Sequence, residues 1–381
     1  MSSKSAILSL ATAILMSTTN ASAASRQSTT SSYLVYVGTY GKGIYAYRYH
    51  APAPKLDSLG MVGEVVNASF LAAAPASRHL YAVSELEGKV DGAVAAFNID
   101  RKSGLLKALN SESSAGESPC HLTLDHTGKI LAVANYGTGS VAVFPVDSDG
   151  RLGRMAGLLT AQGSSVNPER QKGPHAHEAV VSLDNRYLYV PDLGLDQIRI
   201  YRIDPARAQL TPNDPPFAKV EPGHGPRHLA FTPDGKFAYV ANELKSIVTV
   251  FSYDSSNGNL KQFQEVSTVP PDFKGENAPA EIVVDPAGKF VYASNRGPGT
   301  IAVFAIDPSN GTLRQVQIAE TGGTWPRGFK IDPTGQLLFA GDQKTNQFVV
   351  FQIDKGSGKL TLTGQVYHVP SPVDFLFVPA E

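Results

Sequence analysis

Residues 225–243 read GPRHLAFTPDGKFAYVANE, and this stretch is the unit that the rest of the chain repeats. Residues 227–231 read as one strand, in which the apolar Leu229 and Phe231 alternate with the smaller Ala230. Residues 237–241 are rich in the β-branched and aromatic residues that strands favour. Between them, Pro-Asp-Gly-Lys at 233–236 is a tight turn, because proline presets φ and glycine tolerates a left-handed conformation. The stretch therefore predicts a β-hairpin.

Polar side chains mark the open end of this hairpin. Because its two strands are antiparallel, the start of the first strand and the end of the second lie on the same side. That side carries Arg227, His228 and Glu243, opposite the turn. If the unit recurs around a ring, the polar ends of its copies converge on one mouth.

The second, or return, strand of the hairpin recurs about every 50 residues, which indicates an array of β units. Its seven copies end at Thr39, Glu85, Asn135, Asp192, Asn242, Asn295 and Asp342. Each copy is followed by a third apolar strand, such as VTVFSYD at 248–254, and then by a fourth segment after a Gly-x-Leu turn. Four strands per unit is the size of a propeller blade.

The two ends of the chain supply complementary parts of one blade. Six return strands are preceded by a first-strand pattern, but the return strand at 33–39 has none. The missing pattern is SPVDFLFV at 371–378, after which no return strand follows. Pairing of these segments would cover both sheet edges and close the ring. We therefore predict an all-β fold, a closed seven-bladed β-propeller of four-stranded antiparallel blades whose N- and C-terminal strands share one blade.

Composition excludes several classes of function. The 381-residue chain has a formal net charge of -1, so no basic excess points to nucleic acid and no charge run suggests a membrane surface. Cys120 is the single cysteine, which rules out an internal disulfide. The composition thus points to neither nucleic acid nor a membrane as partner, and it does not specify an oligomeric state.

The N-terminus has the pattern of a secretory signal peptide. Lys4 provides a positive charge, residues 6–16 are apolar, and Ala-Ser-Ala at 21–23 matches an A-x-A cleavage site. No cysteine follows the apolar stretch, as a lipoprotein anchor would require. We predict a periplasmic or secreted protein with three parts: a signal peptide at 1–23, a flexible leader at 24–32 and a propeller domain at 33–381.

Alignment of the first strands gives two mouth positions in every blade. The first position holds Ser69, Cys120, His177, Arg227, Ala280, Arg327 and Val373. The second position holds Phe70, His121, Glu178, His228, Glu281, Gly328 and Asp374. Residues directly after the return strands include Tyr40, Tyr136, Glu243 and Arg296. Blades two and seven have few polar side chains at these positions, whereas blades four to six have many, so we expect an off-centre pocket.

Three arginines of the mouth are candidates for a clamp on a carboxylate or phosphate: Arg227, Arg296 and Arg327. Guanidinium groups bind such anions bidentately, and three of them together favour an anionic ligand. The alternative is that they pair with the carboxylates of the mouth and have a structural role. Those carboxylates are Glu243, Glu281 and Asp374.

The mouth also holds candidate acids and bases. Glu243 is a candidate general base, with a structural ion pair as the alternative. His175, His177 and His228 are candidates for acid, base or metal ligand, and alternation would put His175 and His177 on one face of a strand. No fixed metal-ligand spacing is present, so we expect neither a metal nor another cofactor. We interpret Cys120 as a small packing residue.

The chain resembles the lactonase family of seven-bladed propellers over about residues 33–379. That family includes propeller-type 6-phosphogluconolactonase and 3-carboxy-cis,cis-muconate lactonizing enzyme. The resemblance rests on GPHAHE (173–178), YVPDLGLDQIRIYRID (189–204), GPRHLAFTPDGKFAYVANEL (225–244), YASNRG (292–297) and WPRGFKIDP (325–333). One segment departs from the family pattern, because Gly328 stands where the family often has a histidine.

The resemblance implies a lactone hydrolase of carbohydrate metabolism that acts on a sugar-type or carboxylated lactone. The residues expected to act in catalysis are His175, His177, Arg227, Glu243 and Arg296, with the choice between the two histidines open. The residues expected to bind substrate are His228, Glu281 and Arg327. Arginines would hold the anionic group and the oxyanion, and Glu243 or a histidine would activate water. Two alternatives remain: a lactonizing cycloisomerase, and an exported propeller that binds a ligand without catalysis.

Overall fold

The structure, a computed structural model, describes residues 31–76, 78–86, 88 and 90–381. The predicted signal peptide and residues 24–30 of the predicted leader lie outside these described residues. The first strand begins at Ser32. Within the described ranges, no helix is long and apolar enough to cross a membrane. The helical segment found there is a short 3₁₀ turn at Gln343–Thr345.

Short strands make up most of the described chain. In chain order they are β1 (Ser32–Thr39), β2 (Gly43–His50), β3 (Leu56–Glu64), β4 (Leu71–Ala73), β5 (His79–Ser84), β6 (Asp91–Ile99), β7 (Leu106–Glu117), β8 (Pro119–Leu124), β9 (Ile130–Asn135), β10 (Ser140–Pro145), β11 (Gly157–Leu159), β12 (Val180–Val181), β13 (Tyr187–Asp192), β14 (Gln197–Asp204), β15 (Gln209–Lys219), β16 (Pro226–Phe231), β17 (Phe237–Asn242), β18 (Ile247–Asp254), β19 (Asn259–Ser267), β20 (Pro279–Val284), β21 (Phe290–Asn295), β22 (Thr300–Ile306), β23 (Leu313–Glu320), β24 (Pro326–Ile331), β25 (Leu337–Asp342), β26 (Gln347–Ile353), β27 (Leu360–His368) and β28 (Pro372–Pro379).

These strands form seven four-stranded antiparallel sheets, and each sheet is one blade. Blades two to seven are consecutive runs of four strands, from β4–β7 to β24–β27. Blade one has the order β28-β1-β2-β3, with Val35 of β1 opposite Phe377 of β28. The C-terminal strand thus completes the blade that the N-terminal strand begins. The predicted seven-bladed propeller, closed by the two chain ends, is confirmed.

The first strand of each blade lies towards the centre of the ring. Inner strands of adjacent blades contact one another, for example β16 with β20, β20 with β24, and β24 with β28. The return strands beside them, such as β13 and β21, are buried along their whole length. Because first strands begin and return strands end at the same edge of every blade, the residues at these ends gather at one end of the ring, here called the mouth.

Tyrosines of the return strands join neighbouring blades. Their hydroxyls donate to the carbonyl of a glycine in the outer turn of the next blade, at 2.6 to 3.1 Å. The pairs are Tyr36 with Gly104, Tyr81 with Gly150, Tyr189 with Gly258, Tyr239 with Gly311 and Tyr292 with Gly358. At Gly311, φ is 75° and a Cβ would lie 2.4 Å from the ring of Phe237, so glycine is required. The Gly-x-Leu repeat therefore serves the contact between blades.

The first strand of blade four is shorter than the sequence pattern predicts. The pattern at 177–182 indicates a full strand, but regular pairing covers β12 alone. The facing strand contains Pro191, which has no N–H to donate to the ladder. The backbone N–H of His177 still donates to the carbonyl of Pro191 at 2.9 Å, outside regular strand geometry. The segment that carries the two mouth histidines is therefore irregular.

Candidate active site

A cavity of about 520 Å³ opens at the mouth of the propeller. All seven blades contribute side chains to its wall. The charged ones are Glu85, Arg170, Glu243, Arg296 and Arg327. The expectation of an off-centre pocket is therefore wrong, because blades two and seven, for which few polar mouth residues were expected, also contribute charged side chains to the cavity wall.

Glu85 shows how blade two reaches the cavity. The return strand β5 ends at Ser84, one residue before the end that the pattern indicates, so Glu85 stands after the strand. Residues directly after return strands line the cavity in five other blades as well, namely Tyr40, Tyr136, Glu243, Arg296 and Gln343. The Glu85 carboxylate accepts hydrogen bonds from the hydroxyls of Tyr40, at 2.6 Å, and Ser69.

Arg327 of blade seven completes this side of the cavity. Its guanidinium nitrogen Nη2 lies 3.9 Å from Oε1 of Glu85, and the group sits over the Tyr40 ring at 5.1 Å from the ring centre. Burial acts to lower the pKa of Arg327, but Tyr40 and Glu85 outweigh it and raise that pKa. Arg327 therefore remains a cation at the cavity wall.

Glu243 is the centre of the charged cluster on the opposite wall. Its Oε1 atom accepts a hydrogen bond from Nη2 of Arg170 at 2.7 Å. Its Oε2 atom lies 2.7 Å from Nη2 of Arg296 and 3.2 Å from Nε of Arg227. Burial acts to raise the pKa of Glu243, but Arg296, Arg227 and Arg170 outweigh it and hold the pKa far below its usual range. Glu243 is therefore a carboxylate with both oxygens occupied by guanidinium groups.

Two of these arginines are fixed by backbone carbonyls. Arg227 donates from Nη1 to the carbonyl of Ala280 at 2.8 Å, and Arg296 donates from Nε to the carbonyl of Ala278 at 2.9 Å. The Arg296 guanidinium also lies over the ring of Trp325 at 5.4 Å. Burial, followed by repulsion from other arginines, lowers the pKa of Arg227, yet a guanidinium keeps its charge at neutral pH. Arg227 stands behind Glu243 and does not line the cavity itself.

His177 lies between Glu243 and Cys120 in the cavity wall. Its Nε2 atom is 3.9 Å from Oε2 of Glu243, and its Nδ1 atom is 3.7 Å from the sulfur of Cys120. Burial, then the charge of Arg227, holds the pKa of His177 well below its usual value. The imidazole is therefore neutral at physiological pH. Cys120, which was interpreted as a small packing residue, is buried and also borders the cavity.

His175 points elsewhere. Its ring stacks on Tyr136 at 4.6 Å between ring centres, and its Nδ1 atom is 2.8 Å from the backbone carbonyl of Tyr136, to which it donates. The ring is not part of the cavity wall. The two histidines therefore do not share one strand face, since the irregular segment turns one inward and the other towards Tyr136. Among the described residues, no group of three or more side chains is arranged to hold a metal ion.

The second mouth positions form a buried layer beneath the cavity. His228 Nδ1 lies 3.2 Å from Oε1 of Glu281, and His228 Nε2 lies 3.0 Å from Nη1 of Arg227. Arg227 is a donor, so Nε2 accepts and Nδ1 donates to Glu281. His228 and Glu281 thus lie behind Arg227 and do not line the cavity. In the same layer, burial raises the pKa of Asp374 to about 7.

Arg170 is a functional candidate that the sequence analysis did not single out. It lies in the insertion between β11 and β12, which has no regular secondary structure and no counterpart in other blades. An irregular segment gives no periodicity from which a sequence pattern could choose one side chain. The contact with Glu243 is visible in the structure alone.

A larger cavity, of about 940 Å³, lies among the hairpin turns of blades two to four. Its wall includes Pro75, Pro145 and Pro205, which stand at the blade ends opposite the mouth. The predicted acids, bases and arginines lie at the mouth, so the smaller cavity is the candidate active site.

Known proteins share this architecture and much of this sequence. The model of the family described as "Lactonase, 7-bladed beta-propeller" matches residues 34–377. A 6-phosphogluconolactonase of Bacillus subtilis is 36% identical over 350 residues, covering 91% of this chain and 98% of that protein. One of Formosa agariphila is 36% identical over 303 residues, covering 77% of this chain and 85% of that protein. The periplasmic gluconolactonase PpgL of Pseudomonas aeruginosa superposes with a TM-score of 0.87 at 36% identity, covering 92% and 100% of the two chains.

Proposed function

Because the chain belongs to the lactonase family of seven-bladed β-propellers, we propose that it is a lactone hydrolase whose substrate carries a carboxylate or phosphate group. The observation that carries this proposal is the charge of the mouth. Four arginines surround two carboxylates there: Arg170, Arg227, Arg296 and Arg327 against Glu85 and Glu243. The excess of positive charge in a buried site favours an anionic ligand.

His177 is the proposed general base. It lines the cavity and it is neutral. Its Nε2 atom lies 3.9 Å from Oε2 of Glu243, which is too long for a direct hydrogen bond and leaves Nε2 available to a water. Water transfers a proton to His177 as its oxygen attacks the lactone carbonyl carbon. The negative charge of Glu243, 3.9 Å away, stabilises the imidazolium that forms.

Glu243 is less suited to take this proton itself. Guanidinium groups pair with both of its oxygens, so a proton taken up by Glu243 would disrupt those ion pairs. The proposed role of Glu243 is therefore electrostatic, which differs from the sequence-based alternative of Glu243 as the base. Arg296 and Arg327 line the cavity from adjacent blades and are the proposed donors to the oxyanion of the tetrahedral intermediate.

The intermediate collapses by breaking the bond between the carbonyl carbon and the ring oxygen. His177 returns its proton to that oxygen, which leaves as a hydroxyl group. The product is a hydroxy acid, whose carboxyl group releases its proton to solvent. One water is consumed and one proton is released for each lactone opened, so acid release measures the reaction.

A panel of lactones tests the proposed function. The expected result is enzyme-dependent acid release, above the spontaneous rate, from lactones that bear a phosphate or carboxylate group, with slower release from neutral sugar lactones. The measurement is the initial rate of proton release in weak buffer with a pH indicator. Spontaneous rates with every lactone, from protein shown to be folded, would contradict a hydrolase and favour the binding propeller.

The N-terminal pattern supports a further proposal, that the protein is exported and processed. We expect the mature protein to begin near Ala24, since Ala-Ser-Ala at 21–23 matches a signal-peptidase site. The similar PpgL is described as periplasmic. N-terminal sequencing of the protein purified from the periplasm or medium checks this. A mature chain that begins at Met1 or Ser2 would overturn it.

A further inference from the structure

Arg170 differs from the other arginines of the mouth in its exposure. Its side chain is 42% exposed, whereas those of Arg227 and Arg296 are 3% and 7% exposed. Arg327 is intermediate, at 16%. Arg170 is therefore the guanidinium of the cavity that an incoming solute meets first.

The contacts of Arg170 are also the easiest to exchange. Arg227 and Arg296 each donate to a backbone carbonyl, which holds them in place. Within the part of the chain that the structure describes, the guanidinium of Arg170 contacts two side chains, Glu243 at 2.7 Å and the hydroxyl of Tyr136 at 3.0 Å. Because the Arg170 side chain is partly exposed, an anion from solution can reach its guanidinium and compete with the buried Glu243 for it.

The backbone beneath Arg170, by contrast, is firmly positioned. The side-chain oxygen of Asn167 accepts the N–H groups of Glu169 and Arg170, each at 3.0 Å. Gln171 is fully buried and donates from Nε2 to the carbonyl of Leu193 at 2.8 Å. This arrangement fixes the base of the Arg170 side chain at the rim while its tip stays accessible, which lowers the entropic cost of binding a ligand.

Arg170 is not needed to neutralise Glu243. Arg227 and Arg296 already pair with that carboxylate, and a third arginine adds repulsion to a cationic site. That repulsion is visible at Arg296: burial is the main cause that lowers its pKa, Glu243 acts against it, and Arg327 and Arg170 contribute to the lowering. A surplus cation at the rim is favourable once an anionic ligand is bound.

We propose that Arg170 is a specificity residue of this site: its guanidinium leaves Oε1 of Glu243 and binds the anionic group of the substrate, so that anionic lactones are preferred over neutral ones. The inference rests on the proposed lactone hydrolysis and names the residue that selects the substrate class. Glu243 keeps Arg227 and Arg296 when Arg170 moves, so the catalytic cluster stays assembled.

The test compares Arg170→Gln with wild type on two lactones, 6-phosphoglucono-1,5-lactone and the neutral glucono-1,5-lactone. The ratio of kcat/KM for the phosphorylated over the neutral lactone should fall about 10-fold, mainly through KM, as for loss of one partly screened charged hydrogen bond. Arg170→Lys should restore most of the ratio, because a cation returns. Arg207→Gln removes the same charge from an exposed turn opposite the mouth and should leave the ratio at the wild-type value.

Binding of inorganic phosphate, measured by calorimetry, provides a readout that does not depend on catalysis. Wild type and Arg207→Gln should bind phosphate alike, and Arg170→Gln should bind it about 10-fold more weakly. If lactones are hydrolysed but the ratio is unchanged in Arg170→Gln, the inference is wrong and the proposed function stands. If no lactone is hydrolysed, the proposed function fails, and equal phosphate affinity of Arg170→Gln and wild type would then overturn the inference as well.

Discussion

His177→Asn should lower kcat about 100- to 10,000-fold with little change in KM, because it removes the proposed general base and leaves the arginines in place. Asparagine retains polar character but has no group that takes up a proton near neutral pH. The measurement is steady-state acid release from the best lactone of the panel, with thermal unfolding as the check on the fold.

His175→Asn is the matched control for this substitution. The same change is made two residues away, in the same irregular segment, at a ring that stacks on Tyr136 outside the cavity. We expect a kcat within a few-fold of wild type. The opposite result would reverse the assignment of the two histidines: a large loss of kcat in His175→Asn together with a wild-type kcat in His177→Asn.

Glu243→Gln should impair both catalysis and stability. The substitution keeps the shape of the side chain but leaves Arg227 and Arg296 buried without their counter-charge, and breaking a buried ion pair in this way typically costs about 3–5 kcal/mol. Catalysis should also fall steeply, because the imidazolium of His177 forms beside three uncompensated arginines. Chemical denaturation gives the free energy of unfolding, and acid release gives kcat.

The pH dependence of the free energy of unfolding, and the effect of an added anion on it, test whether the lost charge of Glu243 causes the instability of Glu243→Gln. The folded state lowers the pKa of Glu243, so its stabilising charge is fully present above the ordinary carboxyl pKa and is lost only as pH falls towards the lowered value. Inorganic phosphate should raise the Tm of Glu243→Gln more than that of wild type, because it supplies the missing negative charge. Asp149→Asn breaks an exposed pair with Arg151 and should change stability by less than about 1 kcal/mol. A Glu243→Gln protein as stable and as active as wild type would show that the arginine cluster does not depend on this carboxylate.

The fold was predictable because its signals are local and repeated. Each return strand carries alternating or continuous apolar residues between turn residues, and the unmatched first strand at 371–378 could pair only with the unmatched return strand at 33–39. The pairing of β28 with β1 follows from these two facts. The placement of Glu243 and Arg296 at the mouth follows in the same way, from their position after return strands.

The contacts within the site were less predictable. Whether His175 or His177 enters the cavity depends on the irregular start of this first strand, where Ala176 pairs with Asp192 outside the regular ladder of β12 and β13. The alternation on which the sequence argument relied does not extend through such an irregularity. Arg170 comes from an irregular insertion, where no period assigns side chains to a face. The arrangement of Arg227 behind Glu243 depends on the carbonyl of Ala280 in the next blade, a contact distant in sequence.

We propose that lactones are opened in the cavity between His177, Glu243 and the arginines of the mouth. A crystal structure with the ring-opened hydroxy acid of the best substrate tests this proposal. We expect the new carboxylate to lie between Arg296 and Arg327, within hydrogen-bonding distance of Nε2 of His177. A product bound at the opposite face of the propeller, with this cavity holding only solvent, would contradict it.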